Sequence, residues 1–385
     1  MTFQVDKKKG FDLRKSHLGK TKRVVVKVGS AVLTDENGLN QQVMKNLAQE
    51  VSFLVKSGIE VIIVSSGAVA AGRKRLGLHI DKKLGLKEKQ GAAAVGQSSL
   101  MRAYEDIFDR LGYKVAQVLL THDDLSNRNR YLNVRNTILT LLDWNIVPII
   151  NENDTVSVEE LRFGDNDILG ALITNLIEAD LFVCLTDVDG LYTGNPNEDS
   201  EAKPVHTVAK VDKKVKAMAR NVVGALGAGG MQSKIQAAHM VSARGGSSFI
   251  GSGRTKAILH KLFACEAVGT FFLPQAEKMQ SRKHWIAYVL RPKGYLVLDR
   301  GACKALVKGG KSLLPSGILE VRGNFKVGAP VQCLDEKGKA IATGLSNYNA
   351  DDLNKIKGIN SVQIEKALGY KDSDEVIHRD KLVVL

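Results

Sequence analysis

Six short runs of β-branched and aliphatic residues punctuate the first 250 residues: Arg23–Val28, 60–64, Lys114–Leu120, 146–150, 181–185 and 247–250. Each is strand-length and largely apolar rather than alternating, the pattern of a strand buried on both faces. Segments of helical periodicity separate them. In Gln41–Lys56, Val43, Met44, Leu47, Val51, Leu54 and Val55 recur on one side, with Asn40 placed to cap the start and Gly58 to end it. Further helical segments are expected within 91–110 and over 136–142, 168–178 and 232–243. Strands alternating with helices imply an α/β fold, a mostly parallel sheet sandwiched by helices.

In such sheets, ligands bind beyond the carboxyl ends of the strands, and those ends are where the polar residues of this chain gather. The first strand ends in K-V-G-S (27–30). A lysine at that position is costly to bury unless its ammonium reaches an anion or snorkels out at the strand end. The second opens into S-S-G-A-V-A-A-G (65–72). Small residues there suit either close approach of the backbone to an anion or tight packing of a helix on the sheet. The fourth runs into residues 149–167, which carry six carboxylates (Glu152, Asp154, Glu159, Glu160, Asp165, Asp167) in a chain of net charge +14. The fifth ends in T-D-V-D-G-L-Y-T (186–193), and the loop A-L-G-A-G-G-M-Q-S-K (225–234) runs into a helix. Backbone N–H groups freed by glycine can cradle phosphates, and a lysine can reach transferring oxygens. The loop is not a Walker A sequence.

With 385 residues, a second domain is expected. The character changes near Pro274: 275–283 (Q-A-E-K-M-Q-S-R-K) reads as a linker after a domain over 21–274. Beyond it, glycine-punctuated runs at 295–298, 305–307, 318–321, 330–333, 340–342 and around Val384 predict a small β-rich, barrel-like module over 284–385. Residues 1–20 form a basic extension without the apolar core of a secretory signal and read as a mobile tail. No apolar run approaches the ~20 residues of a membrane span. Cys184, Cys265, Cys303 and Cys333 lie far apart with no C-x-x-C, so isolated thiols and a cytoplasmic location are expected, not a zinc site. A pI of about 9.5 fits nucleic acid or anionic small substrates, and the even spread of Lys and Arg along the chain favours the latter.

Taken in order, V-V-V-K-V-G-S, V-S-S-G-A-V-A-A-G, V-P-I-I-N-E-N-D, G-D-N-D, L-T-D-V-D-G-L-Y-T and G-A-G-G-M-Q-S-K-I-Q-A-A closely resemble the glutamate 5-kinases of the amino acid kinase superfamily. Downstream, S-L-L-P-S-G-I (312–318) followed by V-R-G-N-F (321–325) resembles their PUA module. The resemblance implies ATP-dependent phosphorylation of the L-glutamate side-chain carboxylate to L-glutamyl 5-phosphate, the first step of proline biosynthesis. It implies Mg2+ held mainly by the nucleotide phosphates, with no protein metal ligand. Lys27 and Lys234 match the catalytic lysines, and Asp167 the carboxylate that holds them. Ser66, Asp154 and Asn166 match glutamate-binding positions. Lys27, Thr186, Asp187 and the segment Ala228, Gly229, Gly230, Met231, Gln232, Ser233 and Lys234 match ATP-binding positions. Many members carry threonine where this chain has Ala228 and Ser233; Ser233 keeps the hydroxyl and Ala228 does not.

The resemblance further implies a homo-oligomer, proline as a feedback inhibitor acting through residues 124–135, and hand-over of product to a glutamate-5-semialdehyde dehydrogenase. A PUA-like module and positive charge raise RNA binding as a second reading. The kinase motifs fill most of the chain, however, and the module lacks interleaved aromatic and basic residues, so RNA binding is not expected as the main role. A superfamily kinase for aspartate, acetylglutamate or UMP is the rival enzyme; S-S-G-A-V-A-A-G and I-N-E-N-D favour free glutamate.

Overall fold

The computed structural model describes residues 7–36, 38–79, 84–157, 166–196, 198–220 (residue 220 by backbone only), 230–275, 283 and 285–385. The chain divides into two compact units, Met1–Lys278 and Met279–Leu385.

Among the described residues, the first unit is built on one eight-stranded sheet. Its strands are β1 (Arg23–Val28), β2 (Glu60–Ser65), β3 (Lys114–Leu120), β4 (Ile146–Glu152), β5 (Leu181–Thr186), β6 (Thr207–Val208), β7 (Ser247–Ser252) and β8 (Thr270–Phe272). Across the sheet the order is β3-β4-β2-β1-β5-β7-β8-β6. Every pairing is parallel except that of β8 with β7. The helices that place the site are α1 (Lys7–Leu18), α2 (Ser30–Leu33), α3 (Gln41–Lys56), α4 (Ala68–Arg75), α5 (Leu86–Asp109), α6 (His122–Ser126), α7 (Arg128–Asp143), α8 (Asn166–Leu176), α9 (Lys213–Arg220), α10 (Met231–Ala243) and α11 (Ile258–Phe263).

Alternation along the central strand sorts the two faces. Val24, Val26 and Val28 join the apolar core with Met44, Leu47 and Val51 of α3 and Leu100, Tyr104 and Phe108 of α5. Val25 and Lys27 leave the opposite face, where α8 packs on β1 and β5 and α10 packs on α8. Lys27 is thus a buried cation on the face that α8 covers.

Behind β2, α4 lies against α5 at backbone contact. A Cβ at Gly72 would fall 1.7 Å from the Ala92 carbonyl oxygen, and one at Gly96 would fall 1.8 Å from that of Ala68. No side chain larger than hydrogen fits at either place. The small-residue stretch 65–72 therefore does pack a helix tightly, and the same packing fixes the loop that carries Ser66.

Two expectations are corrected, the mobile tail and the strand at 305–307. Lys7–Leu18 is a docked helix, not a mobile tail. Arg14 is wholly buried; its guanidinium lies 5.6, 5.5 and 5.7 Å from the ring centroids of Phe11, Phe249 and Phe271, and Nη1 donates to the Val268 carbonyl at 3.2 Å. Residues 124–135, which the sequence leaves open between a surface excursion and a solvated helix, are helical, divided between α6 and α7 by Asn127, whose side chain caps α7 by accepting from the Asn129 and Arg130 N–H groups. The predicted strand at 305–307 lies in a helix, α12 (Arg300–Gly309), because Asp299 caps it, accepting from the Ala302 N–H at 2.6 Å.

The second unit has a five-stranded sheet among its described residues: β9 (Gly294–Leu298), β10 (Ile318–Arg322), β11 (Pro330–Leu334), β12 (Ala340–Leu345) and β13 (Leu382–Val384), in the order β10-β9-β11-β12-β13. Its core, with Leu296, Leu298, Val331, Tyr348 and Leu353, is its own. Among the described residues, no helix of either unit is long and apolar enough to cross a membrane.

Candidate active site

The site is assembled at the carboxyl ends of β1, β2, β4 and β5 and at the amino ends of α8 and α10. Asp167 is the second residue of α8 and is completely buried. A carboxylate there is favoured by the helix dipole. Lys27 Nζ is ion-paired with its Oδ1, and Lys234 Nζ with its Oδ2 at 3.0 Å. Both lysines are about 5% exposed. Ser233 Oγ donates to Oδ2 at 2.9 Å and Cys184 Sγ to Oδ1 at 3.3 Å. Burial alone pushes the Asp167 carboxyl up, but the ammoniums of Lys27 and Lys234 outweigh it and hold it down at about 2. Two ammoniums against one carboxylate leave a local surplus of positive charge in a desolvated setting, a place suited to a ligand anion.

One residue earlier, Asn166 gathers the ends of two other strands. Its Nδ2 lies 2.8 Å from the Ser65 carbonyl, 3.0 Å from Ser66 Oγ and 2.9 Å from Asn151 Oδ1. An amide carries two protons, so at least one is shared. Asn151 in turn donates to Gln97 Oε1 of α5 at 2.8 Å, and the Ser65 hydroxyl meets Tyr104 at 3.0 Å. Asp154 lies two residues beyond β4, half-buried. Thr186 closes β5, is buried, and donates to Asp187 Oδ1 at 3.0 Å, while Asp187 itself is exposed. Gly230 caps α10, which opens with Met231, Gln232, Ser233 and Lys234.

Residues 22–252 match the amino acid kinase family, and residues 294–368 match the PUA domain. A protein of Desulfotalea psychrophila named glutamate 5-kinase is 57% identical over 97% of this chain and 99% of its own length. The chain belongs to the glutamate 5-kinase family. Relatives of the same name from a Geobacter species and from Geobacter sulfurreducens are 50% and 49% identical, each over 97% of this chain and all of their own length.

Of the residues singled out in the sequence, the structure brings Lys27, Lys234, Ser233 and Asp167 into direct contact, and Asn166 with Ser66. Thr186 and Asp187 stand at the end of the strand next to Lys27. Ala228 and Gly229 lie outside the described residues, as do Glu159, Glu160 and Asp165. Sequence reasoning missed Asn151 as a partner of Asn166, Gln97 behind it, and Cys184 beside Asp167. Cys184 sits within an apolar run, where it reads as core; only its register with Lys27 gives it away.

Proposed function

We propose that this chain transfers the γ-phosphoryl group of ATP to the side-chain carboxylate of L-glutamate, giving L-glutamyl 5-phosphate for proline biosynthesis. The observation that carries this reading is the buried Asp167 carboxylate clamped between Lys27 and Lys234, beside the Asn166–Ser66 pair. The family relationship points to glutamate as the acceptor.

A glutamate side chain, with a pKa near ~4.3, is already ionised at neutral pH, so the reaction needs no general base. The difficulty is to bring an anion up to a polyanion, and catalysis of phosphoryl transfer is mostly positioning and electrostatics. Lys27 and Lys234 would face the transferring group and stabilise its developing charge. Asp167 orients both ammoniums. Ser66 and Asn166 would bond the polar groups of glutamate, and Asp154 its ammonium. Thr186 and Asp187 would hold the nucleotide from the end of β5. The amino end of α10, from Gly230 to Lys234, would hold its phosphates through backbone N–H groups, and Ala228 and Gly229, next to it in the sequence, belong to the same proposed ATP-binding segment.

Among the described residues, no three His, Cys, Asp or Glu side chains converge, and both Asp167 oxygens are engaged by lysines. This donor set fits a Mg2+ carried by the nucleotide phosphates, where it would neutralise the charge on their oxygens. The same reading includes a homo-oligomer, proline inhibition through residues 124–135 and product hand-over to a glutamate-5-semialdehyde dehydrogenase.

The test is a substrate panel of glutamate, aspartate, N-acetylglutamate and UMP with ATP, following ADP release for every member and trapping acyl phosphates with hydroxylamine. ATP-dependent hydroxamate from glutamate is expected. Turnover of another member of the panel in its place refutes the reading, and activity flat across a proline titration at subsaturating glutamate removes the regulatory part.

A further inference from the structure

Asp167 accepts from a thiol and a hydroxyl, those of Cys184 and Ser233, whose side chains the mechanism above does not use. Cys184, in the middle of β5, is in register with Lys27 on β1, so both side chains leave the same face of the sheet. It is completely buried with Sγ 3.3 Å from Asp167 Oδ1. Burial, then the charge of Asp167, pushes its thiol pKa up, so at neutral pH the group is a proton-bearing donor. Ser233 Oγ meets the other oxygen at 2.9 Å. An ammonium and a neutral donor thus meet at both carboxylate oxygens: Lys27 and Cys184 on Oδ1, Lys234 and Ser233 on Oδ2.

We propose that Cys184 and Ser233 are positioning residues that fix the plane of the Asp167 carboxylate while its two lysines serve the transferring phosphoryl group. The proposal rests on the phosphoryl-transfer reading above. A lysine ammonium is a point charge with three protons on a flexible stem. As negative charge builds on the phosphoryl oxygens, Lys27 and Lys234 turn protons toward them and their hold on Asp167 slackens. The terminal torsion of aspartate is soft, so the carboxylate would then be able to rotate. A thiol fixed in a central strand and a hydroxyl fixed in the first turn of a helix do not follow the lysines. They keep both ammoniums between carboxylate and phosphate. An aliphatic side chain at position 184 would fill the same core space but remove the thiol's bond to Oδ1.

The test compares Cys184→Val, Cys184→Ser and Ser233→Ala. Loss of one hydrogen bond to a charged group is expected to lower kcat by about tenfold in Cys184→Val and in Ser233→Ala. The KM values for ATP and glutamate should stay within about twofold, since the interaction concerns the transition state and not binding. Cys184→Ser should recover most of the loss. A direct readout is the S–H stretch isolated in wild-type minus Cys184→Ser infrared spectra. It should lie below that of an unbonded thiol, and in an Asp167→Asn background it should move up. Wild-type kcat in Cys184→Val, or a thiol band indifferent to Asp167→Asn, overturns the proposal. Should Cys184→Val fail to fold, the infrared comparison decides. Absence of any glutamyl hydroxamate from the wild type would instead refute the substrate, leaving the thiol band to judge the hydrogen bond on its own.

Discussion

Lys27 and Lys234 are buried around a carboxylate, and Arg14, in the same unit, is buried without one among its observed contacts. The lysines converge on Asp167 at strand ends. Arg14 instead stacks against Phe11, Phe249 and Phe271, and burial lowers its pKa to about 10, which still leaves it charged at neutral pH. A lysine concentrates its charge on one atom and needs a counter-charge when desolvated. A guanidinium spreads its charge over a plane and can rest on the negative faces of aromatic rings. On the proposed phosphoryl-transfer reading, the difference separates chemistry from architecture. The lysines keep their ammoniums at an edge where a ligand's charge can join them, whereas Arg14 is enclosed between a helix and the sheet and ties the two together.

The sharpest break of this contrast is Asp167→Asn. Two buried lysines would lose their counter-charge, with a stability loss on the order of 3–5 kcal/mol by chemical denaturation and activity at background. The wild type should also carry an acid-side signature. With its carboxyl held at about 2, Asp167 contributes stability that is present above the ordinary aspartate value near ~3.9 and is lost as pH falls through about 2. Asp167→Asn should lack that component in acid titrations.

Next in size, Lys27→Ala or Lys234→Ala should lower kcat by at least ~10²-fold, the scale of one lost transition-state stabiliser. Near wild-type kcat in either would dissolve the distinction between working and structural cations. If Asp154 pairs with the substrate ammonium as proposed, Asp154→Ala should raise KM for glutamate by about tenfold or more with little change in that for ATP. If only the ATP value moved, the substrate would be misplaced. The smallest effect belongs to Arg14. Arg14→Lys should cost about 2 kcal/mol of stability and Arg14→Met about 1 kcal/mol, since the apolar chain fills the space without a charge to accommodate. Neither should change kcat by more than about twofold.

Much of the kinase fold was legible because its strands are buried on both faces and so read as unbroken apolar runs; β1, β3 and α3 carry the bounds their sequences suggest. Lys27 was legible as an exception within such a run. Features settled by distant partners were not. β8 is a three-residue antiparallel strand with no periodicity to display. Residues 305–307 are apolar enough for a strand, but the Asp299 cap six residues upstream makes them helical. The link from Asn166 to Asn151 spans 15 residues of sequence, and that to Ser66 spans 100; only the sheet joins them. Cys184 was hidden by its own suitability for the core.

The docking of Arg14 also has a consequence in time. Its hydrogen-bond partner Val268 lies 254 residues downstream. At ribosomal rates of roughly 5–20 residues per second, α1 leaves the exit tunnel tens of seconds before the strands and loop that receive it exist. A helix made early is therefore among the last to be seated. Until then its arginine remains in water, and the rings of Phe249 and Phe271 lack their lid. Docking α1 thus closes the folding of the kinase unit from the end at which its synthesis began.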